Sequence, residues 1–585
     1  MFSNQGIQVF KDLIFIIFFL LVTIISAIGL GEYIAKVFSA KGGSASGGKG
    51  EKTFASFLFR PLEKFIYKIS GIDEEWEMDW KTYTYAFLSI TLFSFVGLFL
   101  LQEFQHLLPL NPEKLGPVRW DIALNTAISF VTNTNWQAYG GENTMSYLTQ
   151  MLGLTVQNFI SAAAGIAVLI ALTRGFIRNE INSIGNFWVD LVRAIIYILL
   201  PLSIIFALAL VFEGIIQTFN GYEVIKTLEG FTQTIPLGPV ASQIAIKFLG
   251  TNGGGFFNTN SAHPFENPTP FTNFLENYAM LLIPVALPFT FGVLLNKRKQ
   301  GFAIFWVMMS LFLGGFILST YSELRGNPIL SNLGVEHGVN MEGKEVRFGI
   351  IPSILFALTT TCTSCGGVNA MHDSLTPLSG FVLLFNMCVG EVIFGGVGAG
   401  LITLLVNAVL TMFIVGLMIG RSPEFLAKKL EPFEMLMAVI CVLATPMSVL
   451  IFGCIAVVTS TGLSSLNNLG PHGISEILYA FASTSGNNGS AFAGLNAGTV
   501  FYTLTTSLSM LVGRLTTIIP VLAIAGSLAK KKFVPVGSAT FTTDVPLFVW
   551  LLIGVVVLVG GLTYFPVLTL GPILEHFFMG MGKTF

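Results

Sequence analysis

Of 585 residues, 53% are hydrophobic and only 11% charged, whereas a soluble chain carries about a quarter charged residues to face water. With 30 Lys+Arg against 32 Asp+Glu the formal charge is −2, which leaves no basic surface for nucleic acid. Together with 54 Phe, 61 Gly and a mean hydropathy of +0.75, this excludes a soluble multidomain enzyme and predicts an all-α polytopic protein in a lipid bilayer.

In chain order, ten apolar runs are long enough to cross a hydrocarbon core of about 30 Å: 12–37, 83–102, 152–173, 188–213, 275–296, 302–320, 379–420, 433–457, 501–526 and 546–570. The first is too long for a signal-peptide core and has no A-x-A-like site after it, so it reads as a retained helix. The Gly/Ser-rich stretch near 39–52 follows. Its Gly43–Lys49 segment approaches a phosphate-binding loop but has Gly50 where Ser/Thr is needed and no strand before it, so it reads as a flexible linker.

Charge orients the runs. The connections after spans 1, 3, 5, 7 and 9 hold Lys41, Lys49, Lys52, Arg60, Lys64, Lys68, Lys81, Arg174, Arg178, Lys297, Arg298, Lys299, Arg421, Lys428, Lys429, Lys530, Lys531 and Lys532, which is 18 of the 30 basic residues. Those connections are expected to be cytoplasmic, with both termini on the outer face.

Each long outer connection hides a short apolar segment: Asp121–Val131, Pro239–Leu249, Ile351–Thr361 and Pro471–Ala482. About 11 residues of helix reach about 16 Å, half a membrane. Pro239, Pro352 and Pro471 lie at or near the starts, and Asp121 is expected to cap the first. Each segment runs into a polar turn: Thr132-Asn-Thr-Asn-Trp-Gln137, Thr251-Asn-Gly-Gly-Gly-Phe256, Thr363-Ser-Cys-Gly-Gly-Val368 and Ser483-Thr-Ser-Gly-Asn-Asn488. Aligned on their first residues, the fourth positions are Asn135, Gly254, Gly366 and Gly486.

The chain therefore divides into an N-terminal helix and linker (1–82), four helix–pore-loop–helix repeats (83–173, 188–296, 302–420, 433–526) and a C-terminal helix (546–585). Polar irregular backbone at membrane depth belongs where it lines an aqueous path. Half-helices entering from outside direct their partially negative C-termini to the membrane centre. Gly there permits the positive φ that aims successive carbonyls at one axis, where they can replace the hydration shell of potassium. Oxygens without added charge suit a dehydrated monovalent cation better than a divalent one. The expected ion-binding residues are Thr134, Asn135, Gly253, Gly254, Cys365, Gly366, Ser485 and Gly486, with Gln137, Asn252 and Asn487 beside them.

The blocks Thr132-Asn-Thr-Asn-Trp-Gln-Ala-Tyr-Gly-Gly141, Gly250-Thr-Asn-Gly-Gly-Gly-Phe-Phe-Asn258, Ser261-Ala-His-Pro-Phe-Glu-Asn-Pro268 and Ser485-Gly-Asn-Asn-Gly-Ser490 closely resemble the potassium-binding A subunits of bacterial Kdp potassium-transporting ATPases, over nearly the whole chain. The resemblance implies the fold of the superfamily of potassium transporters and potassium selectivity. It also implies a bacterial plasma-membrane complex with a P-type ATPase catalytic subunit and two small membrane subunits. Asn135 departs from the Gly of a plain channel filter, so identical carbonyl geometry in all four turns is not expected.

Other features complete the reading. The Asp-Lys-Thr-Gly-Thr sequence of aspartyl-phosphate enzymes is absent, so ATP hydrolysis is expected on a partner; no organic cofactor is expected, only K⁺. Cys362-x-x-Cys365 has the spacing of a redox or zinc pair but no second Cys pair follows, and the helix end and turn explain it. His263, Glu266, His372 and Asp373 either keep the outer vestibule negative or serve turns. Run 379–420 exceeds one span; a helix broken within Gly390–Gly400 preserves both the repeat and the charge rule. The resemblance implies a gating loop there, with Gly395 and Gly396 in it, and an Arg in the last repeat that Arg514 matches. Glu391 and Arg514 are charged at membrane depth and are expected to pair or line the path. Arg421, Lys428 and Lys429 follow the broken helix and are the expected partner contact. The competing functions are an autonomous potassium channel or ion-coupled symporter of the same superfamily, and a membrane redox enzyme built on the two cysteines.

Overall fold

The computed structural model describes residues 4–39, 54–334, 339–535 and 541–583. Apart from Ser39, the Gly/Ser-rich stretch with its near phosphate-loop match lies outside the described residues, as do Lys41, Lys49 and Lys52.

Among the described residues, ten helices are long and apolar enough to span a membrane: Lys11–Ser39, Trp80–Glu103, Thr149–Ile177, Phe187–Phe212, Pro270–Leu294, Arg298–Leu330, Ala399–Ile419, Pro432–Val458, Val500–Lys530 and Pro546–Gly580. We call them spans 1 to 10. Span 7 carries an additional segment, Pro377–Cys388, separated from Ala399–Ile419 by non-helical backbone, so the long apolar run is a broken helix as expected. Five residues of the break have positive φ (Gly390, Glu391, Phe394, Gly395 and Gly398), which no continuing α-helix accommodates.

Spans 3 and 5 have 83% of their most apolar stretch inside the protein, whereas span 1 has 22% and spans 2, 8 and 10 have 28%. The first two surround the centre, and the others turn their apolar faces to lipid, which explains Phe, Leu and Ile exposed all along spans 1 and 10. Span 1 packs on span 5, and span 9 lies against spans 3 and 8.

Four half-helices stand inside this shell: Trp120–Val131, Val240–Leu249, Ile350–Cys362 and Gly470–Ser485. Their side chains are almost entirely buried. The first is not capped by Asp121 as expected. Arg119 occupies the cap position, and the Asp121 carboxylate accepts from Arg119 (Nε at 2.5 Å) and from the Thr503 hydroxyl on span 9 (3.0 Å). A carboxylate buried in the first turn needs a partner cation more than the free N–H groups need a cap. Two antiparallel hairpins complete the described secondary structure, Glu223–Lys226 with Thr232–Ile235 and Glu424–Phe425 with Lys428–Lys429. On the predicted cytoplasmic face, the ion pair Arg174–Asp190 joins span 3 to span 4, and Arg178–Glu77 and Arg193–Glu63 staple them to the segments before span 2.

Candidate functional site

Beyond each half-helix the chain repeats one backbone conformation. The second and fourth residues past the helix end have positive φ in all four turns: Asn133 (64°) and Asn135 (55°), Thr251 (47°) and Gly253 (84°), Ser364 (48°) and Gly366 (95°), Asn487 (46°) and Gly489 (91°). The turns then close on one another. A Cβ placed on Gly253 would stand 2.0 Å from the Cys365 carbonyl oxygen, one on Gly366 2.3 Å from that of Asn488, and one on Gly489 1.8 Å from that of Thr134. The remaining approach is made by Asn135, whose Cβ and Nδ2 would lie 3.2 and 3.0 Å from a Cβ on Gly254. Turn two meets three, three meets four, four meets one and one meets two.

This ring brings Thr134, Asn135, Asn252, Gly253, Gly254, Cys365, Gly366 and Asn487 together, and it shifts two expected positions. The positive φ falls on Gly253 rather than Gly254 and on Gly489 rather than Gly486, whose φ is −82°. Half-helix 4 continues through Ser483-Thr-Ser485, so alignment on the first polar residue starts that turn too early. Ser485 is the last helical residue, its hydroxyl paired with Ser448 and Ser509 at 2.9 and 2.6 Å, and Gly486 is the cap. Asn488 takes the register of Thr134 and Cys365.

Amides bind the turns across the ring. Asn252 donates to Asn133 Oδ1 (2.7 Å), Asn133 to Thr251 O (3.1 Å), and Gln137 both donates to Gly255 O (2.9 Å) and accepts from Gly255 N (2.8 Å). Asn487 donates to the Thr134 hydroxyl (2.9 Å) and Asn488 to Thr360 O (2.9 Å). Asn135 donates to Asn158 Oδ1 on span 3 at 2.7 Å, while its own buried Oδ1 has no hydrogen-bond partner among the described residues. A cavity of about 430 Å³ opens on the ring, lined by all four ring positions (Asn135, Gly253, Gly366, Gly489) together with Gln137 and Asn260.

The break in span 7 lies directly beneath. Val397 N donates to the Thr251 hydroxyl (2.9 Å) and Gly395 N to Cys362 O (3.0 Å). Gly165 of span 3 and Gly398 touch so closely that a Cβ on either would stand within 2.3 Å of the other strand's backbone. Glu391 accepts from Gly396 N (3.1 Å), and Arg514 donates to Ser161 O (3.1 Å), its Nε having no hydrogen-bond partner among the described residues. Glu391 and Arg514 flank the loop, yet among the described residues they form no ion pair; each charge instead meets backbone. A smaller cavity of about 50 Å³ adjoins Glu391, Ser485, Gly486 and Gly513.

Other expected residues sit elsewhere. Lys428 is not a docking cation: it is buried, its Nζ donates to Arg178 O and Lys531 O at 2.6 Å, and burial with Lys531 nearby pulls its pKa down to about 8. The short hairpin turns it inward, whereas Lys429 stays exposed near Glu431 (3.8 Å) and Arg421 is exposed. Glu266 and His372 do not face the vestibule; Glu266 is paired with Lys247, and His372 bonds the Tyr479 hydroxyl (2.8 Å). Cys362 and Cys365 are free thiols, the latter donating to Lys247 O at 3.9 Å. At the predicted outer face, both ring nitrogens of His472 are held, by Asp373 (2.8 Å) and Glu575 (2.7 Å). Burial opposes its charge, but those hydrogen bonds and carboxylates outweigh it and raise its pKa to about 10. Sequence reasoning missed Asn158, Lys247 and Asn260; only a lysine inside an apolar half-helix could have drawn attention.

Fold and ring together define an all-α membrane protein of pore-loop repeats. The crystal structure of the potassium transporter TrkH from Vibrio parahaemolyticus has this fold, with a TM-score of 0.51 at 15% identity over 86% of this chain and 96% of that one. Residues 17–577 match the family described as potassium-transporting ATPase A subunit. Potassium-transporting ATPase potassium-binding subunits of Solibacter usitatus and Methylorubrum extorquens are 52% and 53% identical, each over 95% of this chain and 96% and 95% of their own lengths. The chain belongs to the potassium-transporting ATPase A subunit family.

Proposed function

We propose that this chain is the potassium-binding and translocating subunit of an ATP-driven import complex in the bacterial plasma membrane, and that it selects dehydrated K⁺ at the four turns. The closed ring carries the reading: four copies of one backbone conformation at the ends of four half-helices, opening into one cavity. Half-helix C-termini supply negative potential, and neutral carbonyl, hydroxyl and amide oxygens suit a monovalent ion. The span-7 loop and the Arg514 cation beneath act as the gate, since a buried positive charge repels a cation at short range. The ring opens toward the outer face, both termini lie outside, and the repeat boundaries follow the four half-helices.

ATP hydrolysis resides on a P-type partner, with two small membrane subunits completing the complex. Arg421 and Lys429 supply the partner contact. Charge reversal at both should weaken assembly or coupling without altering ion selectivity, as measured by co-purification and by K⁺/Rb⁺ preference. The central test is K⁺-stimulated ATP hydrolysis of the purified complex, expected to be absent from this chain alone. Potassium flux through this chain alone, driven only by the ion gradient, would instead favour an autonomous channel or symporter.

A further inference from the structure

Three of the contacts around the ring are tied by neutral amides. The one between turns two and three is built on a fully buried ion pair. Lys247, near the end of half-helix 2, lies 2.8 Å from Glu266, and neither side chain is exposed. Its Nζ also donates to Asn260 Oδ1 (2.5 Å) and Ser261 Oγ (3.3 Å). Glu266 accepts in turn from Phe257 N (2.8 Å), and Glu276 of span 5 is buried within electrostatic reach of the lysine. Asn260 is the joint. It holds positive φ (55°), its Nδ2 donates to the Gly253 carbonyl (2.7 Å), and its Oδ1 also accepts from Ser261 N (2.8 Å) and Val368 N (3.5 Å).

A cation beside a cation site raises the energy of the ion unless something compensates it, so Lys247 is an unfavourable residue to keep here for packing alone. Its position explains it. Gly253 has no side chain to anchor its own peptide, and the three glycines from Gly253 to Gly255 make turn two the least constrained of the four. The bond from Asn252 N to the Lys247 carbonyl (2.8 Å) has its counterpart in every turn; what Lys247 adds is its ammonium, which holds Asn260 against Gly253. A charge-assisted hydrogen bond is about twice as strong as a neutral one and fixes both the rotamer and the side-chain flip of Asn260.

We propose that Lys247 and Glu266 form a positioning device acting through Asn260, which sets the Gly253 carbonyl and the spacing between turns two and three, and thereby ion discrimination. This rests on the ring being the potassium site. The test uses the assembled complex with K⁺- or Rb⁺-stimulated ATP hydrolysis, comparing Asn260→Ala, Asn260→Asp and the double variant Lys247→Met/Glu266→Gln with Gly366→Asp. Asn260→Asp keeps shape and the lysine contact but loses the donor to Gly253; the double variant removes both charges of the Lys247–Glu266 pair together, so neither partner is left buried alone.

All three should raise the half-saturating K⁺ concentration about tenfold, as loss of one such hydrogen bond implies, and narrow the preference for K⁺ over Rb⁺. The maximal rate should change less than the half-saturating concentration. Unchanged affinity and discrimination in Asn260→Asp and the double variant, with both shifted in Gly366→Asp, would overturn the positioning role and leave the ring intact. If Gly366→Asp is also without effect, the ring itself is not the selecting site.

Discussion

The first turn and the other three share a backbone but not a residue. Asn135 and the three glycines Gly253, Gly366 and Gly489 all hold left-handed φ four residues past a half-helix. At the glycines a Cβ would strike a neighbouring carbonyl, whereas turn one leaves room for a side chain, which Asn158 tethers on span 3. Asn is among the few residues that visit this conformation readily. The difference teaches that the ring demands a conformation everywhere and the absence of a side chain at only three of its four positions. The fourfold symmetry belongs to the backbone, and the side chains break it.

The contrast between the turns breaks most visibly if a ring glycine tolerates substitution. Gly366→Asp combines a φ of 95° with a Cβ 2.3 Å from Asn488 O. The left-handed strain alone is about 1–2 kcal/mol, so K⁺-stimulated hydrolysis should lose at least about tenfold in apparent affinity. Gly254→Asp should do less, because its Cβ meets only the Phe130 ring at 2.9 Å and the Asn135 side chain. Equal effects at the two would refute this register.

Arg514→Ala removes the charge below the ring without touching any turn. Potassium efflux from liposomes containing the complex should rise and ATP consumed per ion should increase, while K⁺/Rb⁺ preference stays unchanged. Liposomes that stay tight with normal coupling would make Arg514 structural.

The contrast sharpens at Asn135 itself. Asn135→Gly accepts the left-handed backbone (φ 55°) without strain and should keep apparent affinity within about threefold, whereas Asn135→Ala puts a residue that disfavours that conformation there and should lose about fivefold, equivalent to about 1 kcal/mol. Titration of ATPase activity with K⁺ separates the two.

The smallest effect concerns the periphery. The pKa of His472 is raised from 6.5 to about 10 by its carboxylate partners, so its tether is fully stabilising below pH 6.5 and is lost as pH rises through about 10. The difference in thermal midpoint between wild type and His472→Gln should therefore be largest near pH 6 and vanish above pH 10.

Much of this was legible in the amino-acid order. The pattern of hydropathy, repeat spacing and charge marks ten spans, four half-helices and a broken seventh span, because burying backbone in hydrocarbon requires helices of defined length and glycine is what interrupts them. It misplaced the ring by one residue in turn two and three in turn four, since nothing local tells Ser485 that it still belongs to a helix; the contacts that hold it there, from its hydroxyl to Ser448 and Ser509, reach spans 8 and 9. It likewise put Lys428 on the surface, where positive charge usually lies, while the hairpin after span 7 turns it into the body of the protein.

The sequence by itself determined the membrane class, the repeat and the chemistry of the turns, all of which depend on composition and spacing. Only the tertiary structure decided which residue of each turn meets the next, that Glu391 and Arg514 bind backbone rather than each other, and that Lys247, Glu266 and Asn260 converge on Gly253. Those are contacts between segments far apart in the chain or facing one another across a turn, and their distances are set by how the half-helices pack, which no local pattern encodes.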